Sequence, residues 1–251
     1  MRLDHIVIHI DNDPVRLHAL KNSLPELGYP FDPQSGKGNS EFKTSNINIG
    51  SEYLEIIRLL KPNAKSWMPL WARNYDNGQR GAYCIFLEVD DVERAGVALK
   101  RAGVRARGPA TLTYPTLFGM LRKEAPYIIY YLPTFPDSAL QLALMQYNPR
   151  GRESTRAGLV PNASQNGISG IRRAEIDLPN LNESMDMLIQ LFPDLHLEGN
   201  NWSTQLEKQR LIFRQSPNKD TRVQLTTVAT QRSAVGRSFK IDNVEVNTIG
   251  G

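Results

Sequence analysis

Residues 3–12 read LDHIVIHIDN, residues 82–91 read AYCIFLEVDD, and residues 171–180 read IRRAEIDLPN. Each is an apolar-rich run of strand length that closes in a short polar or proline-containing turn, the pattern of a β-strand. Each is followed by apolar residues at helical spacing. Behind the first lie Val15, Leu17, Leu20 and Leu24, ending before Gly28; behind the second, Val92, Ala95, Val97, Ala98 and Leu99, with Gly103 as a stop. Behind the third lie Leu181, Met185, Leu188, Ile189 and Phe192, broken by Pro193. Asp11, Asp90 and Asn180 stand where a side chain is expected to cap or open these turns.

Further strand-like segments follow each helix. They are 41–49 and 52–60 in the first unit, with a short piece near Tyr29; 111–114, 127–132 and 139–147 in the second; and 195–198, 209–215 and 221–228 in the third. The unit starts lie about 80 to 90 residues apart, longer than a solenoid repeat. The expected fold class is therefore α+β, with repeated βαβββ modules forming a curved mixed sheet around a small-molecule cup. Residues 1–148 read as paired modules and 149–169, rich in Gly, Asn, Ser and Arg without periodicity, as a linker or surface connection. Residues 170–251 read as a third module with C-terminal strands too short for a complete fourth.

The 251 residues can bury a sizeable core, and 40% hydrophobic with 22% charged residues is ordinary for a folded soluble protein. The one cysteine, Cys84, rules out an internal disulfide framework. The N-terminal apolar run is too short and too polar for a signal segment or a membrane span. A cytoplasmic location with no membrane partner is the resulting expectation. The net charge of +4 is mildly basic. Its arginines, among them Arg172 and Arg173, lack the interleaved aromatics of a nucleic-acid surface. They read as a solvated face, although an anionic small substrate also suits the balance.

Strand parity separates core from site. On the first strand Ile6, Ile8 and Ile10 share the face that should pack under the helix, leaving His5, Val7 and His9 opposite. On 52–60, Tyr53, Glu55 and Ile57 take the same side as His5. The matching positions are Cys84, Phe86 and Glu88 in the second unit and Arg173, Glu175 and Asp177 in the third. Every unit thus places an ionisable group at the position of His9, Glu88 and Asp177, and burying such groups needs partners or a ligand. His5 and Glu55 supply imidazole nitrogen and carboxylate oxygen, donors suited to a divalent metal such as Zn, Mn, Fe or Ni.

The opening LDHIVIHI, the YLEII around Glu55 before KP, FLEVDDVERAGVALKRAGV at 86–104 and LPTFPDSALQLALMQYNPRG at 132–151 together resemble glyoxalase-like proteins of the vicinal oxygen chelate superfamily. The resemblance covers residues 1–150 and, more loosely, the third unit. It implies paired βαβββ modules around a cup in which a divalent metal chelates oxygens of a small substrate. It also implies metal ligands from the first and last strands of each module. Carried onto this chain, His5 and Glu55 are the metal ligands of the first module. In the second, Cys84 stands where a histidine is expected, and the last strand offers Gln141 or Gln146. His9 and Glu88 complete an alternative four-group set with His5 and Glu55, and are the candidate catalytic proton shuttles.

Two functional readings follow from these residues. One is a metal-dependent enzyme of lyase, isomerase or dioxygenase type acting on an oxygen-rich metabolite, with the ion as Lewis acid. The other is a metal-free small-molecule binding or sequestering protein that keeps the cup. A homodimer is compatible with both. SGKGNS at 35–40 lacks the spacing of a phosphate loop, and no GxSxG elbow is present. His18 and His196 read as surface residues. Trp67, Met68, Leu70 and Trp71 form an apolar stretch expected to be core, an interface or a lid over the cup.

Overall fold

The computed structural model describes residues 1–64, 68–111, 113–116 and 121–251, with side chains outside 112–123. Trp67 and Leu112, both within segments singled out above, lie outside the described residues. The first half runs β1 (Arg2–His9), α1 (Pro14–Glu26), β2 (Phe42–Ile49), β3 (Glu52–Leu59) and α2 (Pro69–Asp76). It continues with β4 (Gly81–Glu88), α3 (Val92–Arg101), β5 (Arg107–Ala110), β6 (Thr113–Thr116), β7 (Leu121–Glu124), β8 (Tyr127–Thr134) and β9 (Gln141–Tyr147). Next come α4 (Pro149–Ala157) and β10 (Ile168–Leu178), then α5 (Met185–Leu191), β11 (His196–Glu198), β12 (Asn201–Gln205) and β13 (Arg210–Gln215). The chain ends with β14 (Arg222–Ala229), β15 (Ser238–Ile241) and β16 (Val244–Gly250).

Two mixed seven-stranded sheets result, in the orders β2-β3-β1-β4-β9-β8-β5 and β11-β12-β13-β10-β14-β16-β15, with β6-β7 as a separate hairpin. The modular reading is visible in the pairing. β1 lies between β3, to which it is parallel, and β4, to which it is antiparallel. β4 has β9 parallel on its other side, and β10 repeats the arrangement with β13 parallel and β14 antiparallel. β14 in turn pairs in parallel with β16. Residues 221–228, read as the last strand of the third unit, therefore open a fourth, shortened module. Its helix is reduced to a 3-10 turn at Arg232–Ala234, and β12, which the sequence reading passed over, completes the third.

Helix starts are fixed by acids one or two residues beyond those expected. Asp13 accepts from the Val15 amide (2.9 Å) and Asp91 from that of Arg94 (2.9 Å). Asp11 instead pairs with Arg80 at 2.6 Å, and Asn180 donates to Asp137. The 149–169 segment carries α4, a 3-10 turn at Ala163–Asn166, and the buried Leu159, Asn162 and Ala163.

One apolar core runs through both halves. It joins Ile6 and Ile8 of β1, Ile10 just after it, Leu17 and Leu24 of α1, and Ile85 and Leu87 of β4 to Ala174, Ile176 and Leu178 of β10 and Val223 and Leu225 of β14. Polar contacts stitch the same junction. Tyr29 Oη hydrogen-bonds Thr227 and Thr248 (2.7 Å each). The Asn162 side chain donates to the Gly50 carbonyl and accepts from its amide, both at 2.9 Å. Gly50 is required there, since φ is +66° and a Cβ would sit 2.2 Å from the Ser169 carbonyl. Among the described residues no helix is long and apolar enough to cross a membrane.

Candidate functional site

The opposite face of the first sheet forms the candidate cup. Val7, Ile57, Cys84, Phe86, Tyr131, Ala143 and Met145 cluster on it, closed from above by Trp71 and Ala72 of α2. The division of β1 matches strand parity, with Ile6 and Ile8 in the main core and Val7 here.

His5 is buried in this face, sandwiched between the rings of Tyr53 (4.5 Å) and Phe86 (4.2 Å), both nearly parallel to it. Its Nδ1 lies 2.6 Å from Asp4 Oδ1, and the Tyr147 hydroxyl donates to the same oxygen at 3.2 Å. The sequence reading missed Asp4, because alternation assigns it to the core face with Ile6. A β-bulge between Leu3 and His5 removes Asp4 from the β1–β4 register and so lets both neighbours serve the same side. No partner for Nε2 is present among the described residues, so Asp4 and the two rings orient the imidazole and leave one nitrogen free.

Glu55 sits one diagonal from His5: it is opposite Val7, while His5 is opposite Tyr53. The carboxyl makes no hydrogen bond or ion pair among the described residues. Burial raises its pKa above the ordinary carboxylate range, an effect opposed by the nearby His5. Beside Asp4 lies a crevice of about 10 Å³ walled by Arg2, Tyr53, Tyr147 and Arg156, the space of roughly one water.

His9 and Glu88 do not join this pair. β1 and β4 run antiparallel, with His9 opposite Gly81 and Arg2 opposite Glu88. His9 and Glu88, equivalent in the two modules, therefore fall at opposite ends of the ladder, about 23 Å apart at 3.3 Å per residue. Glu88 is ion-paired with both Arg2 and Arg152. His9 is fully buried, stacked on Tyr83 at 4.0 Å, with Trp71 and Tyr75 edge-on. Asp177 pairs with Arg214 at 2.6 Å in the second sheet. Each of the three ionisable groups matched by repeat position thus has its own protein environment.

Burial and, secondarily, Arg80 lower the His9 pKa from 6.5 to about 3. A depressed folded-state value stabilises the protein above the unfolded pKa, and that stability is lost as pH falls from 6.5 toward 3. Between pH 7.5 and 5 the loss amounts to about 2 kcal/mol. Chemical denaturation at the two pH values should show His9→Leu losing about 2 kcal/mol less than the wild type; equal losses would refute the assignment.

The fit of a chelated ion can be tested position by position. Glu55 is opposite Val7, and the equivalent pair in the second module is Phe86 and Ala143. An alanine, neither of the two glutamines expected from sequence, therefore occupies the position of the second carboxylate. Gln141, opposite Cys84, is oriented to donate to the Leu132 carbonyl and accept from Trp71 Nε1. Gln146 accepts from the Val92 amide at the start of α3. The Cys84 thiol is held well above its ordinary pKa by burial and then by the charge of Glu55, the reverse of what a thiolate ligand needs. Among the described residues no group of three or more His, Cys, Asp or Glu side chains is arranged to hold a metal ion. The donor set stops at His5 and Glu55, which does not fit a chelated metal.

No family model and no curated protein matches this sequence. Among solved structures, a hypothetical protein from Staphylococcus aureus is similar over 100% of this chain and 99% of its own, at 13% identity and a TM-score of 0.72. Methylmalonyl-CoA epimerase from Mycobacterium tuberculosis matches 59% of this chain and 89% of its own, at 14% identity and a TM-score of 0.41. A hypothetical protein from Bacillus halodurans matches 59% and 94%, at 16% identity and 0.41. The Staphylococcus aureus protein shares the architecture along the whole chain, and that likeness speaks to fold alone.

Proposed function

We propose that the chain is a glyoxalase-like small-molecule binding protein whose first cup takes an oxygen-rich metabolite on Asp4, His5 and Glu55 without a chelated metal. The observation that supports it is the pair itself: an imidazole fixed by Asp4, next to a carboxyl, with neither Nε2 nor the carboxyl hydrogen-bonded or ion-paired among the described residues. In this reading residues 1–148 are the ligand-binding unit, 149–169 joins it to 170–251, and His9 and Glu88 hold structure. His5 Nε2 and the Glu55 carboxyl receive a hydroxyl, carbonyl or carboxylate of the ligand, while Phe86, Tyr131 and Met145 cover its apolar part. A Glu55 that retains its proton donates to the ligand, so binding weakens as pH rises through its raised pKa.

Thermal shift and NMR titration with 2-oxo- and 2-hydroxycarboxylates test this directly. Glu55→Ala and His5→Ala should each weaken binding about tenfold, the scale of one hydrogen bond to a polar or charged partner. Unchanged affinity in both variants would overturn the assignment.

The second reading, a metal-dependent enzyme on the same metabolite class, is favoured by one feature. Asp4 behind His5 is the carboxylate–imidazole arrangement that orients metal-binding histidines. Calorimetric titration of Zn²⁺, Mn²⁺, Fe²⁺ and Ni²⁺ into chelator-treated protein separates the two. The metal-free reading expects no stoichiometric binding. One equivalent of ion that disappears in His5→Ala would replace it with the enzyme.

A further inference from the structure

The second sheet bears a cleft of about 610 Å³ lined by Arg172, Arg173, Gln205, Glu207, Lys208 and Arg210. That volume lies in the range of small-molecule pockets, and four of the six residues are cationic. Three strands build it. Arg173 of β10 is opposite Arg210 of β13, and Arg210 is opposite Gln205 of β12. Arg172 would point away by simple alternation, but a register shift between Ile171 and Arg173 drops it from the β10–β14 ladder. The bulge lets two consecutive arginines line one cleft. Lys208 stands on the β12–β13 turn. That turn is braced by Gln205 Nε2 donating to the Leu206 and Gln209 carbonyls, and by the Glu207 amide donating to Met1 O at 3.0 Å.

Like charges facing each other across strands repel, so this row costs stability unless anions answer it. Glu175 answers Arg173 at 2.8 Å, but it also serves Arg214 at 2.7 Å. Glu198 and Ser203 Oγ answer Arg210. Arg172 and Lys208 are exposed and have no ion pair or hydrogen bond among the described residues. A guanidinium has five N–H donors, so Arg173 and Arg210 keep donors beyond those their partners use. Glu175, Glu198 and Glu207 ring the site with negative charge, which disfavours an extended polyanion and leaves room for a compact one.

We infer that this cleft binds a small molecule bearing a phosphoryl group. Phosphoryl oxygens accept from several donors at once, and arginine forks match them bidentately. The site lies on a different sheet from the Asp4, His5 and Glu55 pocket and does not depend on it.

Calorimetry with inorganic pyrophosphate at low salt tests the inference on the full chain. Pyrophosphate should bind one to one. The double variant Arg172→Ala/Lys208→Ala, both exposed positions, should fold with unchanged thermal stability and weaken binding at least about tenfold. Glu207→Gln should strengthen it, and Glu55→Gln should leave it unchanged. Equal affinity in wild type and double variant would overturn the site. So would citrate binding as tightly as pyrophosphate, or a single-stranded oligonucleotide binding more tightly with increasing length, since either would make the patch a general anion surface.

Discussion

Glu52→Ala should lower the stability of the folded chain by about 3–5 kcal/mol, one of the two largest single-residue effects expected here. Glu52 is buried where the two halves meet. Its carboxylate accepts from the Ile171 amide at 3.0 Å, from Gln209 Nε2 at 2.9 Å and from Ser51 Oγ at 2.6 Å. Gln209 is itself committed, its Oε1 accepting from the Leu3 amide at 3.3 Å. Removing the carboxylate leaves a backbone N–H and a side-chain amide buried without an acceptor, and each such orphan costs about 1–3 kcal/mol. Burial raises the Glu52 pKa, so part of the loss is offset by removal of a desolvated charge. The apparent Tm should fall by about 6–20 °C, at 2–4 °C per kcal/mol for a chain of this size. Amide exchange at Ile171 should accelerate beyond the global change, because its acceptor is gone. A Tm shift under about 3 °C would mean that water or another acceptor replaces the carboxylate.

The sequence revealed the modules more fully than the site, and the reason lies in the bulges. Apolar periodicity survives in β1, β4 and β10 because each has a face against the main core, so their order and helical successors could be read. A β-bulge breaks alternation without leaving a sequence mark. The bulge before His5 adds Asp4 to the site, the one between Val7 and Ile8 frees Tyr83 to stack on His9, and the one before Arg173 brings in Arg172. Asp4 and Tyr83 were given no role in the site by alternation, and Arg172 was read only as part of a solvated basic face. Direction was the second obstacle. Matching by repeat position placed His9 beside Glu88, but paired modules run their first strands antiparallel, so only residues near the centre of the ladder meet. His5 and Glu55 escape this obstacle because β1 and β3 belong to one module and pair directly in parallel. α2 left a weaker trace, an apolar stretch between modules, and its contact with the cup depends on packing that no local period encodes.

Trp71→Ala should have an effect as large as Glu52→Ala and a second, diagnostic consequence. Trp71 is almost completely buried. It meets His9 edge-on at 5.8 Å, Tyr83 at 6.4 Å and Tyr131 at 6.1 Å, and its Nε1–H is set to donate to Gln141 at 2.8 Å. Truncating a buried tryptophan costs about 3–5 kcal/mol, through lost transfer free energy and the cavity left behind. Here the cavity opens beside polar side chains, and water enters cavities that offer hydrogen-bonding partners. Desolvation is the first cause of the depressed His9 pKa of about 3. Wetting the cage should therefore move that value upward toward 6.5, measurable by following the His9 ring resonances with pH. The same opening enlarges the cup above Phe86 and Tyr131, so 2-oxocarboxylate binding should persist or tighten while stability falls. If stability drops and the His9 pKa stays near 3, Trp71 is simply core and the cage is dry without it. If binding disappears in the folded variant, Trp71 forms part of the ligand's wall and the floor of Asp4, His5 and Glu55 is insufficient alone.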